Sequence, residues 1–488
     1  MSDPTQADNW RHFCAHARHL LQHPSFDAME RAPRLAGAGK LRAVLEAARA
    51  GEEWLPILSA TISADGRDLP TTPQFNQLAA WASEAGGSAT GVVAAFLEDR
   101  SAKERFAGFA SATETAAPDA DPSRPAALLA FGSAFNFALA PQDLPIVRPA
   151  QFSKLQEILG YGTCAAGASL TEQYEHHLSF AREIHERMLQ EGVLVRDALD
   201  VHALIVVSAQ DSREWDAAAT RPERDPGGPY LSICACLGYE SPYLLEWIEF
   251  HRAIGAERFF LYNNRDREAQ RDVLRPYVDE GIVVLHDWPV FPPQLRAYND
   301  CIERHRDDSR WIAFIDVDEF LFAPEQPLPD VLAGYESWPG VVVNRAAFGP
   351  SGHELKPPGL VIESYLMRKP QGDRYVKSIV DPREVVRCTT PHHFVYDSRL
   401  PVNEDRYPVR GPLNPPASLA RLRVNHYETK SLEEWRAKLG RARADIARLR
   451  RDFDLQGQGG AEYSLRDEAI LKWAPAVHEA LDGAVDRR

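Results

Sequence analysis

The chain of 488 residues carries 70 acidic and 55 basic side chains, a formal net charge of −15, and 44% of its residues are apolar. This length favours two domains or three, and the apolar fraction is sufficient for packed cores. The acidic balance argues against a nucleic-acid-binding face dominated by Lys and Arg, and against attachment to an anionic membrane through bulk charge.

Two features bear on the cellular compartment. Cys234 and Cys236, two of six scattered cysteines, alternate within a predicted strand, which suits small buried side chains better than a zinc site or a disulfide framework. The first 20 residues lack an apolar segment of signal-peptide length, and no run of about 18 apolar residues occurs. We therefore expect a cytoplasmic protein without a transmembrane segment, with a peripheral position at the inner membrane face as the alternative.

Residues 1–210 are predicted to form a mostly helical N-terminal domain, with a break at 113–125 where Ala, Pro, Asp and Ser dominate. A second linker, rich in Arg, Asp, Pro and Gly, covers 211–228. This half carries no sharp chemical signature, so its expected role is interaction with a protein partner. Helices are expected at 12–21, 39–50, 72–84, 89–97, 126–139, 149–159 and 169–189.

The last of these helices has an amphipathic pattern. His176 and His177 are adjacent and point in different directions, which favours packed or surface histidines over metal ligands. Near-heptad spacing predicts one packed face, made of Tyr174, His177, Phe180, Ile184 and Met188.

After residue 229 the pattern changes to alternating strands and helices. Short connections in this order predict a mainly parallel sheet flanked by helices on right-handed crossovers. The predicted fold class is therefore α/β in residues 229–488, with a helical tail from Ser431 to Phe453, preceded by the helical N-terminal domain. Strands are expected at 231–237, 258–262, 282–285 and 311–315, with helices from residue 241, at 268–279 and at 294–305.

Two carboxylates follow the fourth predicted strand. Side chains alternate along an extended backbone, so Asp316 and Asp318 point the same way and repel each other unless a cation lies between them. Hard divalent ions such as Mg²⁺ or Mn²⁺ take oxygen ligands and commonly bridge to substrate phosphates. The carboxyl ends of the strands form the ligand crevice of an open α/β sheet. The same spacing of two acids recurs at 119–121 and 452–454, but neither pair follows a buried strand.

Five segments in the C-terminal half carry a family likeness, at 239–251, 259–264, 315–321, 348–354 and 424–431. They resemble glycosyltransferases of the family-2 type with a GT-A (Rossmann-like) fold, and more narrowly the family-92 (DUF23-like) enzymes. The likeness covers about residues 229 to 450. It implies a glycosyltransferase that moves a sugar from a nucleotide-sugar donor, usually a UDP sugar, to a hydroxyl group of a glycan or lipid-linked acceptor, in glycan or surface-polysaccharide synthesis.

The resemblance also implies roles for single residues. Glu240, Asn264 and Asp287 are implied to contact the donor, and their alternative role is that of a strand-end cap or turn residue. The family more often has Asp at the position of Asn264. A core or surface histidine is the alternative for His426, and a helix start for Lys430, because 431–434 has the pattern of a capping box. The implied metal ligands for Mn²⁺ or Mg²⁺ are Asp316, Asp318 and His426, and the implied donor-binding residues are Glu240, Asn264, Asp287, Asp316 and Lys430.

A catalytic base is needed if the reaction inverts the anomeric configuration, because the acceptor hydroxyl must lose its proton within hydrogen-bond reach. Glu354 ranks first among the candidates. The others are His353, Asp381, Glu384, His392 and His393.

Two other functions stay open at this point. A metal-dependent nucleotidyltransferase or phosphohydrolase would grip a triphosphate with the same carboxylates, although no G-x-x-x-x-G-K-[ST] loop follows the first strand. A non-catalytic nucleotide-sugar-binding or interaction protein would be led by the helical N-terminal half. The presence of Glu240, Asp316 and Asp318 favours the transferase.

Overall fold

A computed structural model describes residues 4–65, 70, 72–115, 124–215, 228–265, 267–439 and 462–485. The chain divides into two compact units, Met1–Arg221 and Pro222–Arg488. The boundary falls within the predicted linker at 211–228, of which residues 216–227 lie outside the described residues. None of the described helices combines the length and the apolar character that crossing a membrane requires.

The N-terminal unit is helical. Its α-helices are α1 (Pro4–Gln22), α2 (Ala32–Ala50), α3 (Trp54–Asp65), α4 (Thr72–Ala85), α5 (Gly87–Ala94), α6 (Ala102–Thr115), α7 (Arg124–Leu139), α8 (Pro149–Ile158), α9 (Leu170–Gln190) and α10 (Ala198–Gln210). The sequence did not single out α3, α6 or α10. The predicted break at 113–125 is wrong at its two ends, which belong to α6 and α7, and its centre, with the acids at 119–121, lies outside the described residues.

Helix α9 shows why the amphipathic pattern was informative. Ser169 and Glu172 form a capping box that starts the helix. The ring of His177 packs 5.4 Å from that of Phe152, and burial lowers the pKa of His177 to about 4. The predicted packed face is confirmed, because Tyr174, His177, Phe180, Ile184 and Met188 are all buried.

The C-terminal unit is built on one eight-stranded sheet. Strands β3, β2, β1 and β4 pair in parallel in that order, and β8, β6, β11 and β5 continue the sheet. The predicted α/β fold is confirmed, although the second half of the sheet is mixed. The sheet strands are β1 (Leu231–Leu237), β2 (Arg258–Asn263), β3 (Val283–Asp287), β4 (Trp311–Phe314), β5 (Glu319–Phe322), β6 (Gly340–Ala347), β8 (Asp373–Val380) and β11 (Arg423–His426).

Short strands and helices complete the unit. Strands β9 (Val385–Thr390) and β10 (His393–Tyr396) form a hairpin, and β7 (Met367–Arg368) pairs with β12 (Leu465–Arg466). The helices are α11 (Leu244–Ala253), α12 (Arg267–Asp279), α13 (Gln294–Arg304), α14 (Leu328–Leu332), α15 (Val361–Ser364), α16 (Leu432–Leu439) and α17 (Ala474–Val485). Of the tail helix predicted at 431–453, residues 432–439 are helical and the rest lies outside the described residues, as do the acids at 452–454.

The sheet is curled, and the connection from β4 to β5 requires it. Three strands separate β4 from β5 in the sheet, so about four strand spacings, or roughly 19 Å, would lie between them if the sheet were flat. Only residues 315–318 connect them, and five Cα steps reach at most about 18 Å. The curl therefore brings the start of β5 back to the end of β4.

Apolar side chains cover both faces of the sheet. Along β1, Leu231 and Ile233 face one core while Cys234 faces the other, as the strand alternation predicts. Helix α11 packs on the first face, and its acidic side chains Glu246 and Glu249 are buried together with its apolar ones. The helix begins at Leu244 and not at residue 241, since residues 241–243 form a turn.

Candidate functional site

The candidate site lies where β4 ends and β5 begins. Strands β6 and β11 run in the same direction as β4, and β8 runs in the opposite direction. The ends of β4, β6 and β11 and the starts of β5 and β8 therefore meet at one edge of the curled sheet. Residues 315–318, which contain both aspartates, connect β4 to β5 at this edge.

Helix α11 holds the edge strand β5 in place. The indole of Trp247 donates a hydrogen bond of 2.8 Å to the carbonyl of Glu319. His251 Nε2 accepts from the amide of Leu321 at 3.2 Å, while its Nδ1 lies 2.7 Å from the carbonyl of Trp247. Burial lowers the pKa of His251 to about 3, so the ring is neutral, as these two contacts require. These side chains satisfy backbone groups that an edge strand leaves unpaired.

Asp316 is held by neutral donors and by a buried lysine. Its Oδ1 accepts hydrogen bonds from Gln294 and from the hydroxyl of Tyr298, both on α13. Its Oδ2 lies 2.9 Å from Nζ of Lys377 on β8. Burial alone would raise the pKa of Asp316, but the Lys377 charge outweighs it and holds the pKa below the usual range. The carboxylate is therefore charged and fixed.

Lys377 belongs to a chain of buried charges inside the curl. Its ammonium also lies 3.1 Å from Glu319, and both side chains are at most 1% exposed. Glu319 is in turn paired with Arg345 at 3.2 Å, and Arg345 is paired with Asp373. A buried ammonium is tolerated only when carboxylates surround it, and here two do.

Asp318 faces a second lysine and a histidine. Its Oδ2 lies 2.5 Å from Nζ of Lys438 on α16, and its Oδ1 lies 3.7 Å from Nε2 of His426. The ladder between β11 and β5 sets His426 opposite Glu319, one residue from Asp318. Burial opposes ionisation, but Lys438, His426 and Lys430 together hold the pKa of Asp318 well below its usual range.

Glu240 and Lys430 lie within the electrostatic reach of Asp318. Glu240 accepts a hydrogen bond from the amide of Gly238, and its pKa is raised by burial and by the Asp318 charge. Lys430 lies 4.3 Å from the ring centre of Tyr243, and burial and the Lys438 charge lower its pKa. Lys430 has a left-handed φ of 50°, a strained conformation for a residue with a Cβ.

The capping box predicted at 431–434 is confirmed. Ser431 Oγ and its amide both donate to Glu434, and the amide of Glu434 donates back to Ser431 Oγ. Glu434 also accepts a hydrogen bond from the hydroxyl of Tyr365 at 2.8 Å. The capping box thereby fixes the start of α16 directly after Lys430, and the same helix carries Lys438 near its end.

Asp318 and His426 are the side chains that best fit a divalent ion. Their separation of 3.7 Å is too long for a hydrogen bond, yet short enough for both atoms to bind one ion. A carboxylate oxygen with an imidazole nitrogen suits Mn²⁺. Asp316 fits less well, because its oxygens are bonded to α13 and Lys377. Within the described residues no three His, Cys, Asp or Glu side chains converge as ligands.

The other two predicted donor contacts lie at the ends of β2 and β3. The side-chain amide of Asn264 donates to the carbonyls of Trp288 and Val290, which ties the segment after β3 to β2. Asp287 is half exposed and paired with Arg271 on α12. Their roles toward a nucleotide stay predictions.

The base candidates are spread over two edges of the sheet. Glu354 is exposed on the segment between β6 and α15, where its carbonyl accepts from the amide of Glu433. His353 Nε2 lies 3.0 Å from the carbonyl of Ser364. Asp381 is not brought to the carboxylates, because it follows β8 at the opposite edge, where it is buried and paired with Arg310 at 3.0 Å. Glu384, at the same opposite edge, is buried against Arg399.

His392 lies in the turn between β9 and β10, and His393 is the first residue of β10. His392 Nδ1 lies 2.9 Å from the carbonyl of Val376, the residue before Lys377. Burial, together with the charges of Lys377 and Arg345, lowers the pKa of His392 to about 3. Burial lowers the pKa of His393 to about 4. His392 is thus the histidine of this pair that lies near the buried charges.

Sequence reasoning missed two of the three lysines of the site, Lys377 and Lys438. Lys377 lies 61 positions and Lys438 120 positions from the aspartate that each one contacts. The available signal for Lys377 was its position between Val376 and the pair Ile379–Val380, a stretch that reads as buried and rarely holds a lysine. No comparable signal marks Lys438, which lies on a charged helix.

The C-terminal half of the chain is similar to several known proteins. Residues 230–410 match the family model described as Glycosyltransferase family 92. A glycosyltransferase family 92 protein of Arabidopsis thaliana is 29% identical over 255 residues, which cover 49% of this chain and 42% of that protein. One from Oryza sativa subsp. japonica is 35% identical over 171 residues, covering 34% and 29%. A beta-1,4-galactosyltransferase of Caenorhabditis elegans is 26% identical over 217 residues, covering 41% and 48%.

The C-terminal unit is an α/β fold with charged side chains at the carboxyl ends of its parallel strands. Folds of this class bind their ligands at that edge of the sheet. Residues 230–410 thus match the model of the family-92 glycosyltransferases, and the C-terminal half of this chain is similar to proteins of that family, as the sequence resemblance implied. The chain spans about two fifths of the length of the first curated relatives it matches.

Proposed function

We propose that the C-terminal unit transfers a sugar from a UDP-sugar donor to a hydroxyl group of a glycan or lipid-linked acceptor, in a divalent-metal-dependent reaction that inverts the anomeric centre. The observation that carries the proposal is the pair of aspartates at 316 and 318, which lie at the carboxyl edge of the sheet within the family-92 match. Galactose is the sugar we propose first, because relatives are named galactosyltransferases.

The metal would be held by Asp318 and His426, with the remaining positions filled by water and donor phosphate oxygens. Bound there, the ion would supply a positive charge that stabilises the departing nucleoside diphosphate. Both side chains are largely buried, at 16% and 13% exposed, so the attraction would be little weakened by solvent.

The lysines would act around this centre. Lys377 keeps Asp316 charged and fixed, so that Asp316 can accept hydrogen bonds from donor hydroxyls. Lys430 and Lys438 place two ammonium groups near Asp318, where a diphosphate would carry its charge. Glu354 is the proposed base that removes the acceptor proton. Its backbone carbonyl accepts a hydrogen bond from the amide of Glu433, which holds its segment against the start of α16.

The proposal is tested by UDP release from UDP-galactose with Mn²⁺ and a panel of sugar acceptors. Asp318→Ala should lower turnover at least about 100-fold while the melting temperature stays within a few degrees. Asp307→Ala, which removes an exposed acid elsewhere in the domain, is the matched control and should leave turnover unchanged. Full activity of the Asp318 variant would overturn the site assignment.

A second readout separates binding from turnover. The melting temperature of the wild-type protein should rise with UDP only when Mn²⁺ is present, since a ligand of the native state stabilises it by mass action. His426→Ala should raise the Mn²⁺ concentration needed for half of that effect. A UDP-dependent shift without any sugar release from a broad donor panel would instead favour a binding protein.

A further inference from the structure

An exposed aromatic side chain lies beside the buried charges of the site. Tyr375 is 44% exposed, although residues 376–380 of the same strand are buried. Its ring centre lies 5.3 Å from that of His392. Solvent covers almost half of the side chain, so part of it is accessible to a ligand.

His392 is fixed in a way that leaves one nitrogen as an acceptor. Its amide donates to Thr390 Oγ1 at 3.2 Å, and its Nδ1 lies 2.9 Å from the carbonyl of Val376. A carbonyl oxygen only accepts, so Nδ1 carries the hydrogen and Nε2 presents its lone pair. Tyr375 and His392 together form an aromatic surface with one hydrogen-bond acceptor, which we call the Tyr375 platform.

The platform lies at the same edge of the sheet as the aspartates. Strand β8 runs antiparallel to β4, and Ser378 pairs with Phe314, so residues preceding Ser378 extend past the end of β4 toward the candidate site. Lys377, which contacts Asp316, is two residues from Tyr375, or about 7 Å along a strand. This spacing is comparable with the length of one pyranose ring.

We propose that the Tyr375 platform binds a sugar ring of the acceptor, a pyranoside whose C–H face stacks on Tyr375 and one of whose hydroxyl groups donates to His392 Nε2. The faces of aromatic rings carry partial negative charge and attract the weakly positive C–H groups of a sugar. The half-exposed ring and the single acceptor suit a ligand that has one apolar face and hydroxyls at its rim. The inference rests on the proposed function, because it assigns the acceptor side of the same site.

The test uses the full chain, UDP-galactose with Mn²⁺, and a panel of α- and β-linked galactosides, glucosides and mannosides. Tyr375→Ala should raise KM about tenfold for the panel member that the wild-type protein elongates, and leave KM for the donor within about twofold. Tyr375→Phe keeps the ring and should restore the wild-type acceptor KM. His392→Ala should also raise the acceptor KM.

Val386→Ala is the matched control, because it removes an exposed apolar side chain from β9 outside the platform. Its KM values should equal those of the wild type. An unchanged acceptor KM in Tyr375→Ala, or a rise in its donor KM as large as that for the acceptor, would overturn the inference. The second result would instead assign the platform to the nucleotide.

Failure of the proposed function gives a different pattern. A wild-type protein that releases no UDP from UDP-galactose, with or without an acceptor, contradicts the proposed function. Binding of the sugar panel is then measured directly, by saturation transfer from protein to sugar protons. Signals that disappear in Tyr375→Ala and persist in Tyr375→Phe would support the platform, and absence of signals from every sugar would overturn it.

Discussion

The two aspartates of the site are each paired with one lysine. Asp316 contacts Lys377, and Asp318 contacts Lys438. Two adjacent carboxylates would repel each other, and at the edge of a buried sheet the repulsion would be strong. The lysines neutralise this charge within the protein, so the aspartates can stay ionised and in place without a bound ion.

Glu246, another buried acid, has a raised pKa, whereas the pKa values of the two aspartates are lowered. Its carboxylate accepts hydrogen bonds from the amides of Val361 and Ile362 at the start of α15. Burial nevertheless raises its pKa to about 7. The folded state therefore binds a proton that the unfolded chain, with an ordinary glutamate pKa, has already released above about pH 4.5.

The stability of the protein should depend on pH through Glu246. Because its pKa is raised in the folded state, protonated Glu246 stabilises the folded protein relative to the unfolded chain. This stabilisation is fully present below about pH 4.5 and is lost as the pH rises to about 7, which lowers the free energy of unfolding by roughly 3 kcal/mol. The side chain of the Glu246→Gln variant cannot titrate. The difference in unfolding free energy, variant minus wild type, should therefore increase by this amount between pH 4.5 and 7.5. Urea unfolding at several pH values measures the difference; a constant difference would contradict the raised pKa.

At the scale of elements, the site depends on how β5 is held. The strand is at the edge of the sheet, and side chains of α11 replace a neighbouring strand by bonding its backbone. The segment 239–251, which carried part of the family likeness, thus supports the segment 315–321 that carries the aspartates. Trp247 and His251 are structural members of this motif.

Trp247→Phe tests this support. The substitution leaves the buried carbonyl of Glu319 without its donor, which should lower the unfolding free energy by about 1–3 kcal/mol, with a further loss from reduced packing. Hydrogen exchange of residues 319–322 should become faster. Trp473→Phe is the control, because the indole nitrogen of Trp473 has no hydrogen-bond partner among the described residues. Equal effects of both substitutions would show that packing alone matters.

Elements with a local pattern could be predicted from the sequence, and contacts between distant elements could not. Strands β1 to β4 and their helices were found within a few residues, because each is a short apolar or amphipathic segment between turn signals. The mixed half of the sheet was not anticipated. In particular, Asp381 was considered as a base, but the antiparallel direction of β8 places it at the far edge.

The same limit applies to the candidate site. Asp316 and Asp318 were identified because they directly follow an apolar strand. Lys377 and Lys438 were not, because only the curl of the sheet and the start of α16 bring them near. Chain order shows which residues end a strand, whereas the partner of a charge is set by tertiary packing.

At the scale of the whole molecule, the chain consists of two units, each with a core of its own. The N-terminal core is built from helices α2 to α7, α9 and α10, with Trp81, Phe106, Phe109 and Phe135 among its buried rings. The C-terminal cores lie on the two faces of the sheet, around Trp247 and Phe314. A unit that buries its own apolar side chains can in principle fold alone.

The last prediction is that Pro222–Arg488 folds and works without the N-terminal unit. All residues proposed to bind donor, metal and acceptor lie within this range, and so does the family match. The fragment should unfold cooperatively and release UDP from UDP-galactose at a rate within about twofold of the full chain. The control is Met1–Arg221 alone, which should fold and show no turnover. A fragment that folds but loses activity would assign the N-terminal unit a part in the reaction, whereas an unfolded fragment would show that its two cores depend on the rest of the chain.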